Sequence, residues 1–135
     1  MLAVIFLTLC SACERKTITT ATGSGRPTFV LAGSGNLSEV IISKPAEEQT
    51  SNPTDRENTL WRIAAEKMSR RPVEELHSLT YGVVPPGYRQ RIPEQGSPSQ
   101  LLPNKRYGFY FVTSDAPHAA GYFEVQDGRV ILHQN

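Results

Sequence analysis

The chain has 135 residues and a formal net charge of +1. That is enough length for one domain with its own core, and too little charge to build a field that recruits nucleic acid. Its charged residues are interspersed, and the basic pair Arg70-Arg71 reads as a solvated turn. Ten prolines and ten glycines suit a β-rich chain with many turns.

Met1 to Leu9, "MLAVIFLTL", is a continuous apolar run followed by "CSACERK". It is too short to span a bilayer, which takes roughly 20 residues. It matches the apolar region of a secretory signal peptide ahead of small residues at a cleavage zone. Cys10 and Cys13 also spell C-x-x-C. A redox pair of that spacing normally opens a helix after a buried strand, where the helix N-terminus lowers the thiol pKa. The polar "ERKTITTATGSGRP" that follows offers no such setting.

The pattern resembles the lipobox of bacterial lipoproteins. Ser11 and Ala12 fill the two positions before cleavage, and Cys13 takes the place of the lipidated residue. Cys10 stands where Leu is usual, with Leu9 one step further out, and no Lys or Arg precedes the apolar run. The resemblance implies a signal peptide over 1–12 and a diacylglycerol on the Cys13 sulfur, often with a third chain on the new amino terminus. Several acyl chains anchor stably where one does not, so the implied location is the exported side of the cell envelope. Glu14 replaces the Asp that retains enteric lipoproteins in the inner membrane, so the default destination is the outer membrane where the cell has one. Residues 13–26, rich in Thr, Gly and Ser, read as a flexible tether with a reach on the order of 20 Å.

From Pro27 to Asn135 the sequence predicts a single β domain. "TFVLAGSGNLSEVIIS" contains two β-branched and aromatic runs around Gly33-Ser34-Gly35-Asn36, read as a hairpin turn. "KPAEEQTSNPTDREN" is a polar loop held irregular by Pro45 and Pro53. Over 59–68 the sequence fits two periods. Leu60, Ile63, Ala64 and Met68 recur at helical spacing, whereas Thr59, Trp61, Ile63 and Ala65 alternate as in a half-buried strand. The strand-like surroundings and the use of a buried Trp strand in sandwiches favour the strand.

"VEELHSLTYG" sets Leu76, Ser78 and Thr80 on one face against His77, Leu79 and Tyr81. Pro85-Pro86-Gly87-Tyr88 has the residue preferences of a type II turn. After another turn at Pro103-Asn104, "RYGFYFVTS" alternates Tyr107, Phe109 and Phe111 with Gly108, Tyr110 and Val112. "AAGYFEVQDGRVILHQN" closes with a hairpin signal at Asp127-Gly128. About seven short strands separated by turns make an all-β, antiparallel sandwich the expected fold. From Leu60 onward the order of "LWRI", "SLTYGVVPPGYRQRIP", "RYGFYF" and "GYFEVQDGRV" resembles small exported bacterial proteins with an immunoglobulin- or fibronectin-type sandwich. That family brings no known activity.

Chemistry is sparse. Asp115 and His118 share the loop "SDAPHAAG" behind Ser114, which frames a small hydrolase or a metal or ligand site as the alternative reading. No H-E-x-x-H, G-x-S-x-G or spaced Cys/His set supports it, and Asp in such a loop is usual turn chemistry. No cofactor or metal is expected, and the partners expected are the membrane, through Cys13, and an envelope protein. The sequence therefore favours a non-enzymatic envelope lipoprotein, structural or partner-binding.

Overall fold

Strands whose alternate residues are large and apolar must bury one face, and this chain buries those faces against each other. The computed structural model describes residues 18–21, 26–67, 69–114, 118–126 and 129–134. In chain order come β1 (Ile18–Ala21), β2 (Thr28–Leu31), β3 (Asn36–Ser43), β4 (Thr59–Ala65) and β5 (Arg71–Pro72). A single helical turn, α1 (Val73–Leu76), precedes β6 (Ser78–Thr80), β7 (Tyr88–Ile92), β8 (Arg106–Thr113), β9 (Ala119–Gln126) and β10 (Arg129–Gln134). The larger sheet has the order β10-β9-β8-β3-β4-β7, with β5 on β3, and the smaller one is β1-β2-β6. All pairings are antiparallel. The expected all-β, antiparallel sandwich is the fold.

The inner face of the large sheet follows from alternation. On β4, Thr59, Trp61 and Ile63 are buried while Leu60, Arg62 and Ala64 are half-buried, so the strand reading of this segment holds through Ala65. On β8, Tyr107, Phe109, Phe111 and Thr113 point inward. Phe29 of β2 meets them, its ring centroid 5.5 Å from Phe111, 6.2 Å from Phe109 and 5.3 Å from Phe123 of β9. The Phe111 and Phe123 contacts are edge-on and the Phe109 contact is tilted; edge-on aromatic pairs add about 0.5–1.5 kcal/mol each beyond the area they bury. Tyr81, just past β6, makes a second bridge, edge-on to Trp61 at 5.5 Å.

Three local readings are corrected. The Gly33–Asn36 turn does not make a hairpin, because β2 and β3 lie in different sheets. Gly33 and Gly35 take φ of 107° and 99°, conformations open to glycine, and throw the chain from one layer to the other. The eight residues of β3 find longer partners in β4 and β8 than four-residue β2 could offer. Secondly, Leu76 and His77 do not alternate as strand. Val73–Leu76 turns once, with Glu74 and Glu75 in its first turn, and His77 adopts φ 57° as its C-cap. Leu79 and Tyr81 are both buried. Thirdly, ordered structure begins inside the segment read as a tether. Residues 18–21 pair with β2, since the β-branched "ITT" suits a strand and β2 offers it an edge.

The Pro85–Tyr88 turn stands as expected, and so does the pairing of β9 with β10. The amide of Tyr88 donates to the Pro85 carbonyl at 3.2 Å with Gly87 at φ 87°, a type II turn. Gln126 opposite Arg129 closes the β9–β10 hairpin; Asp127 and Gly128 themselves lie outside the described residues.

Trp61 is fully buried, and its indole N–H donates to Gln90 Oε1 at 3.0 Å. Trp61→Ala is expected to cost roughly 3–5 kcal/mol, the range for emptying a large buried aromatic site, as measured by urea denaturation. Native emission should be blue-shifted and move to longer wavelength on unfolding.

Candidate functional site

Cys13 and Asp115, singled out in the sequence, lie outside the described residues. His118 is exposed, and its Nδ1 accepts the backbone N–H of Thr113 at 3.2 Å, across the β8–β9 connection. That nitrogen is engaged in holding the loop. Among the described residues no three His, Cys, Asp or Glu gather closely enough to share a metal ion.

The described residues form instead an open groove of about 620 Å³ at the β4–β7 edge of the large sheet, lined by Arg56, Arg62, Arg89, Arg91 and Glu94 among others. Strand alternation builds it. Tyr88 and Gln90 of β7 turn toward the core side, which sends Arg89 and Arg91 out to solvent. Opposite Arg89 stands Ala64, and a register shift between Arg62 and Ile63 then sets Ile92 opposite Arg62 and leaves Arg91 outside the β4–β7 register; the small Ala64 leaves a floor between the long side chains.

The strand beneath is fixed by polar side chains. Gln90 accepts from Trp61 and donates through Nε2 to the carbonyls of Pro93 at 2.9 Å and Gly96 at 2.8 Å. Tyr88 donates its hydroxyl to the Leu37 carbonyl at 2.6 Å and accepts the Arg71 amide at 3.1 Å. Burial raises the Tyr88 pKa above 10.0, with Arg71 pulling in the opposite direction.

Charge in the groove is unbalanced. Arg56 donates to Glu94, whose pKa is lowered by that hydrogen bond and by the guanidinium charge. Arg62 Nε lies 2.5 Å from Glu39 Oε1, close enough for ion pairing but not aligned as a hydrogen bond. Arg89 and Arg91 form no ion pair among the described residues. Four guanidinium groups against the two carboxylates of Glu39 and Glu94 leave a local excess of two positive charges. Beyond the groove, half-buried Tyr110 and Tyr122 continue the same sheet face, with Ile41 buried beside Tyr110. Such a surface can bind anions, its guanidinium groups offering N–H donors and no acceptor.

The sequence carried a signal for this site in the period-two arginines of "YRQRI". It is easily missed because the segment follows the Pro-Pro-Gly turn and ends at Pro93. No protein-family model, curated protein or solved structure matches the chain.

Alkaline pH tests the tyrosine supports. Tyr81, which donates to the Ser99 carbonyl at 2.8 Å, has its pKa raised far above 10.0 by burial first and by Tyr107 second. The folded state thus favours the neutral phenols of Tyr81 and Tyr88. Their stabilising contribution is whole below the unfolded pKa of about 10 and is lost as pH climbs from there toward the folded values. Thermal unfolding monitored from pH 8 to 11.5 should show Tm falling above about pH 10, with a smaller fall in Tyr88→Phe.

Proposed function

We propose that this protein is a non-enzymatic, lipid-anchored module of the bacterial cell envelope that binds a partner protein. The Ser11-Ala12-Cys13 pattern after an apolar run supports the anchor. Binding is supported by the arginine groove, a charged and rigidly backed surface lined by guanidinium groups and lacking an evident nucleophile–base pair. That groove is the observation that carries the reading.

The topology suits an anchored protein. Ile18 pairs with Leu31, at the end where β2 crosses to β3. Arg56 and Glu94 sit near the opposite end of β4, beside Thr59 and Ile92. From Cys13 to Ile18 the chain spans at most about 18 Å. A lipid on Cys13 would hold the sandwich close to the bilayer with the Arg56–Glu94 end of the groove directed away from it. Default sorting with Glu14 after the cysteine would deliver it to the outer membrane of a cell that has one.

Metabolic labelling with a fatty acid should mark the wild-type chain and leave Cys13→Ser unmarked, and the variant should move from the membrane to the soluble exported fraction. Equal labelling of both would refute the anchor. Recovery of the labelled protein chiefly in inner-membrane fractions on a density gradient would refute the sorting.

A further inference from the structure

We propose that β7 is an acceptor edge for an extended acidic peptide, which adds as a further strand and sets carboxylates at alternate positions against Arg89 and Arg91. This deepens the partner-binding reading above and rests on it. β7 ends the sheet order, and among the described residues it pairs with β4 alone. No described backbone hydrogen bond from outside β4 reaches Arg89–Ile92. Unpaired edge groups are a template for an incoming strand, with main-chain bonds giving affinity and alternate side chains giving specificity.

The arginines set the chemistry of that strand. Arg89 and Arg91 are both exposed, Arg89 opposite Ala64 and Arg91 at the register shift between the Ile63–Gln90 and Arg62–Ile92 pairs, so an added strand in register with Arg89 places its own alternate side chains near both, about 4.5–5.5 Å away between Cβ atoms where the pairing is regular. Opposite charges there stabilise and like charges destabilise. A second copy of β7 pairing antiparallel would bring arginine against arginine, which disfavours self-association through this edge. Edge arginines commonly serve only to block such pairing. Here Arg56 and Arg62 line the same groove, each held by a carboxylate, so that Arg89 and Arg91 are the guanidinium groups left to meet an incoming acidic strand, an arrangement that blocking alone does not require. Gln90, tied on both ends of its amide, holds the edge in place before anything binds.

The test uses the full-length chain in detergent micelles and fluorescein-labelled peptides. One peptide alternates Glu with Thr or Val; a second has the same composition with its glutamates in one block; inorganic tripolyphosphate competes as a free anion. The alternating peptide should bind more tightly than the block peptide, and slow amide hydrogen exchange over 88–92. Arg89→Glu/Arg91→Glu should weaken it about tenfold or more, two cross-strand pairs having turned from attractive to repulsive. Arg89→Gln/Arg91→Gln should weaken it less, and the corresponding double Lys variant should retain most of the binding. Unchanged Trp61 emission verifies the fold of each variant. Absent binding, or unchanged exchange over 88–92, would overturn strand addition. Block peptide and tripolyphosphate matching the alternating peptide would overturn it too, leaving an unspecific anion surface. Fatty-acid labelling reads the anchor independently, so strand addition can fail while the anchored module stands.

Discussion

Phe29 is the contact on which the two-sheet arrangement rests. It belongs to a four-residue strand whose hydrogen-bonded neighbours are the four residues of β1 and the three of β6. A sheet that small is marginal alone. What holds it is its apolar face, centred on the Phe29 ring, which is fully buried among Phe109, Phe111 and Phe123 of the large sheet, with Leu31, Leu79 and Tyr81 in the same core. Those three residues come from β8 and β9, so one side chain joins elements separated by 80 to 94 positions of sequence. Close packing explains why the neighbouring position on β8 is Gly108: a Cβ there would collide with Ser43 Oγ.

The outward surface inherits its order from this core. Trp61 sits on the same inner face and passes its indole N–H to Gln90, which aligns β7 and leaves Arg89 and Arg91 facing solvent. The β4–β7 register then brings Arg62 and Ala64 beside them. Charge that is spread evenly along the sequence becomes concentrated at one sheet edge because a pleated strand sorts alternate residues to opposite faces. A near-neutral chain thereby gains a local positive surface, whose strength should decline with added salt because its arginines are exposed.

Legibility in the sequence tracks how local each determinant is. "TLWRIAA" and "RYGFYFVT" could be read as strands because burial of Trp61, Ile63, Phe109 and Phe111 follows a two-residue period within each segment. Which sheet a strand joins is a long-range property. The Gly33–Asn36 turn permits a hairpin or a crossover equally, and the choice lies with β4 and β8, whose apolar faces match β3 from far along the chain. The one-turn helix at Val73–Leu76 hid behind an alternation that Leu76 and His77 satisfy only on paper. Arg89 and Arg91 were visible as letters but not as a site, since their meaning depends on β7 lying at the sheet edge. That the Nδ1 of His118 receives the Thr113 backbone amide is likewise set by the fold and not by the loop's letters.

Equilibrium urea denaturation of wild type and Phe29→Ala, followed by Trp61 fluorescence and by far-ultraviolet circular dichroism, tests the dependence on Phe29 most directly. Wild type should unfold in one transition common to both probes. Phe29→Ala should lose roughly 3–5 kcal/mol, the cost of emptying a buried aromatic site. A loss below about 1 kcal/mol, the range of substitutions away from the core, would contradict the account.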